Sequence, residues 1–206
     1  MISDPERLRA VLQSLPRITV HGPWSRAIGF DLLKGPPPGT PPGSPPQPLW
    51  PGGASLKGAR FTPKKSFDSL YLAADPVTAL HEVVSVFTPP TGPPLVIKTS
   101  PWVIITLDGV LSNVIDLTNA DIQKQLETSL SELTGDWAYT QTTTGSAPTQ
   151  LLAQAAFDCK VLALQYTSAK NIRNSAVVVF TEYLAANNPS YLEVFDEHHN
   201  LNQRLP

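Results

Sequence analysis

The chain is 206 residues long and 41% hydrophobic, enough for one domain with a real core and too little for two large ones. Its net charge of -2 gives no electrostatic reason to meet nucleic acid or an anionic membrane, and no run approaches the length of a membrane span. One cysteine, Cys159, permits no internal disulfide, and the charged start Met1 to Arg9 lacks the apolar run of a signal peptide, so a reducing, cytoplasmic setting is expected.

Asp4-Pro5 offers a cap followed by a first-turn proline, and Leu8, Val11, Leu12 and Leu15 recur at helical spacing. The chain therefore begins with an amphipathic helix that Pro16 ends. Ile18 and Val20 predict a short strand. From Gly35 to Pro51 the sequence reads GPPPGTPPGSPPQPLWP, where locked φ angles and missing donors exclude helix and most sheet pairing. This predicts an extended, mobile loop. Its P-x-x-P spacings, such as Pro38 with Pro41, suit an aromatic groove on another protein, and the competing reading is an insertion of the kind surface loops tolerate.

Gly58 to Phe87 holds the best chemical candidates. Ser69 to Ala73 alternates as a strand, with Leu70 and Leu72 on one face and Tyr71 and Ala73 on the other. Asp75 is a good N-cap and Pro76 suits the first helical position. The next turns gather Val77, Leu80, Val83, Val84 and Phe87 into an apolar stripe, which predicts that this face packs on the core and that Glu82 points away from it. Glu82 has small or apolar neighbours, Thr78, Ala79 and Val86, so its face suits a cleft lining as well as solvent.

Further on, Leu95 to Ile97, Trp102 to Leu107 and Val114 to Leu117 read as three short strands, the last two parted by a turn at Ser112-Asn113. Ala120 to Leu133 reads as a polar helix burying Ile122, Leu126, Leu130 and Leu133. Trp137 and Tyr139 precede a Thr-rich turn, and Ser146 to Thr149 starts a helix with Leu151, Leu152, Ala155 and Ala156 on a packing face. Val161 to Leu164 and Ala176 to Phe180 read as buried strands. Tyr191 to Phe195 suits an edge strand, and His198-His199 to Pro206 a frayed end.

Several segments, in order, resemble the motif series of the RES family, named for its arginine, glutamate and serine. They are Gly22 to Ala27, with its aromatic-x-arginine; Gly58-Ala59-Arg60-Phe61; Leu70 to Ala73; Asp75 to Val83; Asp116-Leu117; Pro148 to Ala156, reading PTQLLAQAA; and Gln165 to Ala169, similar to Y-x-S-A. The resemblance implies an α+β fold: one domain over 1–206 with its core at about 24–180 and the proline-rich insertion at 35–51, built of central twisted, mainly antiparallel β-sheets flanked by helices, similar to the ADP-ribosyltransferase fold. It also implies a toxin that consumes NAD or transfers its ADP-ribose. One departure is Phe61-Thr62-Pro63-Lys64-Lys65-Ser66, where the family often carries an asparagine and a glycine. An inactive relative that binds a nucleotide, or a protein through the proline loop, thus stays open.

On this reading Glu82 stabilises the oxocarbenium-like transition state of nicotinamide loss, and Arg60 holds the pyrophosphate with Arg26 as a second anion binder. Tyr71 stacks on nicotinamide, Ser168 meets a ribose or phosphate oxygen, and Gln150 is the polar candidate of its helix. NAD is expected as substrate, with no permanently bound cofactor. Cys159 and the four histidines lack metal-ligand spacing, so no metal is expected. The expected protein partner is a helix-turn-helix antitoxin whose tail reaches Arg60, direct contact with nucleic acid is not expected, and a homodimer stays open.

Overall fold

The computed structural model describes residues 1–34, 39–41, 44–83, 85–87, 95–98, 101–187, 189–194, 196–198 and 201–206. Asp4 Oδ1 accepts from the Arg7 amide at 2.6 Å and Pro5 opens α1 (Pro5–Ser14), whose Leu8 and Leu12 are buried, as the spacing predicts. Then come β1 (Ile18–His21), β2 (Trp24–Gly29), the short helices α2 (Asp31–Lys34) and α3 (Gly52–Lys57), β3 (Ser69–Ala73) and α4 (Pro76–Val83). Strands β4 (Ser85–Phe87) and β5 (Leu95–Lys98) pair with each other in a small separate sheet. The long β6 (Trp102–Asp116) leads to α5 (Ala120–Gln125), α6 (Leu130–Thr134), α7 (Trp137–Thr144) and α8 (Pro148–Asp158). The chain ends with β7 (Ala163–Thr167), β8 (Ser175–Phe180), β9 (Tyr191–Val194) and β10 (Gln203–Leu205). Among the described residues no helix is long and apolar enough to cross a membrane.

β6 is the spine of a mainly antiparallel sheet flanked by helices. Its first half pairs with β2, its middle with β1 and β9, and its end runs parallel to β7. β7 pairs with β8 and β8 with β3, both antiparallel. β3 returns to β2 through a single register pair, Ser25 opposite Ala73, so the strand path closes on itself but is loosely joined there. Period-two alternation divides the apolar residues between two cores. Leu70, Leu72, Ile105, Leu107, Val177 and Val179 pack on one face, and Phe61, Tyr166, Val178 and Phe180 pack on the other beneath α1 and α8.

Several expectations are corrected. Residues 102–116 form one strand with no turn at Ser112-Asn113; Asn113 takes a left-handed φ of 57° inside it, and its side-chain amide donates to Lys160 O and Asn187 Oδ1. The helix expected over Ala120 to Leu133 breaks into α5 and α6, parted by Glu127 at φ 51°. The Thr-rich turn is helix α7: Asp136 caps it, and Thr140, Thr142 and Thr144 return their hydroxyls to carbonyls four residues earlier. The tail is not frayed, because β10 forms the sheet edge and β9 lies between it and β6. Phe195 and His199 lie outside the described residues.

The proline-rich segment is also anchored. Residues 35–38 lie outside the described residues, and with them Pro38 of the P-x-x-P reading. At the other end Pro48 and Leu49 are buried, Leu49 fully, and the Leu49 amide donates to Gln203 Oε1 on β10 at 2.7 Å. Pro51 then leads into α3.

Helix α4 starts where Asp75-Pro76 says it should, since Asp75 Oδ1 accepts the amides of Val77 and Thr78, both at 2.9 Å. Its rotation is the opposite of the expected one. Thr78 and Ala79 are the buried residues, Val77 is 57% exposed, and Leu80 and Val83 are half-buried; Val84 lies outside the described residues. Glu82, on the face of Thr78 and Ala79, therefore turns inward. The cause is a polar latch: Thr78 Oγ1 donates to Asp75 Oδ2 (2.5 Å) and accepts from Asn171 (2.9 Å) and Asn174 (3.2 Å), while Asn174 also donates to Asp75 Oδ2 (2.6 Å).

Two outcomes test this architecture. Leu49→Ala should lower the free energy of unfolding in urea by about 2–5 kcal/mol, the cost of a truncated core residue, and an unchanged midpoint would mean the segment is not part of the core. Asp75→Ala should cost at least about 1.5–3 kcal/mol near neutral pH, since it removes the bonds from Thr78 and Asn174 together with the cap. The hydrogen bonds of Thr78, side chain first, hold the Asp75 carboxyl below its ordinary value. Its contribution is thus complete above the usual aspartate range and is lost as pH falls through the lower folded value, so the gap between wild type and Asp75→Ala should narrow below about pH 4.

Candidate active site

Where β2 and β3 part, a cavity of about 790 Å³ opens between these strands, α3 and α4. Tyr71 and Ala73 of β3, Glu82 and Val83 of α4, Trp50 and the Gly58-Ala59 turn line it, with Trp137 and Tyr166 from farther along the chain. Arg26 also borders it, whereas Arg60, Gln150 and Ser168 stand behind its walls.

Glu82 and Ser168 meet. Ser168, fully buried just past the end of β7, donates its hydroxyl to Glu82 Oε1 at 2.5 Å and accepts the amides of Lys170 (3.2 Å) and Asn171 (3.1 Å). The turn holding it is closed by the Ser168 amide on Asn174 O at 2.9 Å and tied to α4 through Asn171 and Asn174. A serine so placed has its proton and both lone pairs in use. The structure thus joins Ser168 to Glu82, whose other oxygen, Oε2, has no partner among the described residues.

The other expected residues divide. The Tyr71 hydroxyl is taken: it accepts the Phe61 amide (2.9 Å) and bonds Thr62 Oγ1 (2.8 Å), which in turn bonds Ser69. Burial pushes its phenol well above the ordinary value, partly offset by these bonds and by Arg60, so the ring rather than an ionised oxygen meets the cavity. Arg60 gives Nη1 to the carbonyls of Leu133 (3.0 Å) and Gly135 (2.7 Å), and its own carbonyl accepts from Thr149 (2.6 Å). Gln150 is structural: 1% exposed, it donates to Ala59 O (2.9 Å) and Gln141 Oε1 (2.6 Å) and accepts the Ala147 amide (3.0 Å). Gly58 follows from this packing, since a Cβ there would stand 2.7 Å from Gln141 Oε1 at a φ of 79°.

Arg26 donates Nη2 to Trp50 O at 2.9 Å, and desolvation pulls its pKa down to about 10, which leaves it a cation at neutral pH. Tyr166, not singled out in the sequence as a site residue, lines the cavity. Burial first, then the neighbouring Glu82 and Tyr71, push its phenol well above the usual value, with Arg60 acting the other way. Its position two residues before Ser168, in the segment similar to Y-x-S-A, was an available signal. Trp102 and Trp137 had none, because tertiary pairing and the Asp136 cap bring them there.

The RES domain model matches residues 40–196. Among solved structures, the chain is similar to one chain of the M. tuberculosis MbcT-MbcA toxin-antitoxin complex, with a TM-score of 0.63 and 18% identity over 93% of this chain and 90% of that one, a likeness that speaks for the fold. No curated protein matches it. The matched span takes in Arg60, Glu82 and Ser168 and covers well over half of the sequence, and the chain belongs to the RES domain family.

Proposed function

We propose that the chain cleaves the bond between nicotinamide and ribose in NAD and acts as the toxin of a toxin-antitoxin pair. The observation that carries this reading is Glu82: a carboxylate on the wall of a cavity large enough for a cofactor-sized ligand, with one oxygen held by Ser168 and the other open. As the glycosidic bond breaks, its electron pair goes to the nicotinamide nitrogen, which leaves neutral, and positive charge grows on the ribose until an oxygen nucleophile adds. A fixed carboxylate stabilises that charge more in the transition state than in the ground state.

Tyr71 presents a ring whose hydroxyl is anchored, a rigid platform for the nicotinamide face. Ser168 keeps Glu82 Oε1 in place, and with its oxygen accepting two amides behind the cavity wall it serves to position the carboxylate rather than to attack. Water, phosphate or a protein side chain receives the ADP-ribosyl group. Membership in the RES family and the fold shared with a chain of a toxin-antitoxin complex support the toxin reading and, with it, a protein inhibitor. The proposal takes that inhibitor to be a helix-turn-helix protein that covers the cavity.

The purified chain, free of inhibitor, should release nicotinamide from NAD, and chromatography with and without phosphate will separate hydrolysis from phosphorolysis. Glu82→Gln should lower kcat by about 100- to 1,000-fold with substrate affinity little changed, as for loss of an electrostatic stabiliser. Ser168→Ala should act in the same direction more mildly. No nicotinamide from folded wild type under either condition would sink the reading. In cells, expression of wild type should arrest bacterial growth and lower NAD, whereas Glu82→Gln should do neither; equal harmlessness of both would remove the toxin assignment.

A further inference from the structure

The end of the proline-rich segment brings Trp50 to the cavity wall, and its backbone and its ring are both fixed there. The Trp50 amide donates to Gln47 O at 3.0 Å, and its carbonyl accepts Arg26 Nη2 at 2.9 Å. The indole lies against the first turn of α3. A Cβ on the buried Gly52 would stand 2.6 Å from Trp50 Cζ2, and one on Gly53 would stand 3.7 Å from Cζ3, so glycine at 52 is what lets the ring sit there.

A second hold comes from the far end of the chain. Leu49, directly before Trp50, is fully buried, and its amide donates to Gln203 Oε1 at 2.7 Å. β10 in turn fixes Gln203, which stands opposite Val194 of β9. The family model matches residues 40–196, so the residue that pins this stretch lies beyond its span. A half-buried indole held in this way loses little freedom when a flat ring is laid against it, which is what a stacking surface requires.

The cavity thus has two anchored aromatic side chains on opposite sides of its opening: Tyr71 belongs to β3, and Trp50 is tied to β2. A dinucleotide has two flat bases. Nicotinamide has to lie by Glu82, on the side of Tyr71, for its bond to ribose to break under the carboxylate, which leaves the purine for the other side. We propose that Trp50 is the stacking surface for the purine base of the dinucleotide and that Gln203, through Leu49, is its positioning residue. Trp102 and Trp137 also line the cavity and are the competing surfaces, whereas Trp24 is buried in the core. The inference rests on reading this cavity as an NAD site and says where the second base lies.

Titration calorimetry of the full chain with AMP and with ribose 5-phosphate isolates the base, because the probes differ by the adenine and neither contains the bond to nicotinamide. Wild type should bind AMP at least about 10-fold more tightly than ribose 5-phosphate, the scale of one stacked base. Trp50→Leu keeps bulk without an aromatic face and should erase that preference, while Trp50→Phe should retain part of it. Gln203→Ala should reduce the preference about 3-fold, and Gln203→Glu, which still accepts the Leu49 amide, should restore it; ribose 5-phosphate should bind all four variants alike. AMP should also quench the tryptophan emission of wild type, and Trp50→Phe should lose most of that quenching although Trp102 and Trp137 remain. With NAD, Trp50→Leu should raise KM about 10-fold at little-changed kcat. The platform is overturned if wild type binds the two probes alike, if Trp50→Leu keeps the preference, or if full quenching survives in Trp50→Phe; an unchanged preference in Gln203→Ala overturns the positioning role. Should the preference depend on Trp50 while wild type releases no nicotinamide, the reaction falls and the purine platform stands; nicotinamide release with an unchanged preference in Trp50→Leu gives the reverse.

Discussion

The hydrogen bond from Ser168 to Glu82 joins two parts of the chain 86 residues apart, and the cavity has its carboxylate only while both ends are held. One end is a turn after β7 in which the serine oxygen accepts two amides; the other is a helix whose N-terminus is fixed by Asp75. Asn171 and Asn174 connect them through Thr78 and Asp75, so turn and helix move as one body. Networks of this kind are strong when every member is satisfied, and Thr78 and Ser168, both fully buried, are satisfied.

That network also decides how α4 is rotated. Packing Val77 on the core would contribute about 1.5–3 kcal/mol, yet Val77 is 57% exposed. Hydrogen bonds to a charged group contribute about 1.5–3 kcal/mol each, and Asp75 accepts from the Thr78 and Asn174 side chains as well as from two amides. Several such bonds outweigh one valine. Thr78 and Ala79 are also small enough to let the helix lie close to the strands, and the inward turn of Glu82 follows from the same rotation.

This explains what was legible in the sequence. Strand β3, the start of α4, α1 and α8 were readable because alternation, caps and first-turn prolines act within a few residues. The pairing of Glu82 with Ser168 was reachable only through the motif order, and the rotation of α4 was not readable, because its apolar stripe is genuine and the partners that override it lie more than ninety positions away. The Thr-rich stretch and the Ser112-Asn113 pair misled for a different reason: residues that favour turns when exposed were satisfied inside a helix by their own hydroxyls and inside a strand by cross-chain bonds.

Hydrogen-bond saturation separates scaffold from site more sharply than residue type does. Gln150, Thr62 and Ser168 are polar, buried and chemically capable, yet their partners are all protein and they shape the cavity without reaching into it, while Tyr71 spends its hydroxyl on protein and shows the cavity only its ring. Glu82 keeps one oxygen open among the described residues, and Arg26 and Trp102 each keep one donor unpaired. A single carboxylate oxygen at one part of the wall and a cation with an indole N–H at another make a bipolar cavity, suited to a ligand that is anionic in its middle and becomes positive at one end as it reacts. A dinucleotide losing a pyridine base has that charge pattern, whereas a simple anion would leave Glu82 repelling it. The open atoms thus suit the NAD reading proposed above better than a plain phosphate ligand.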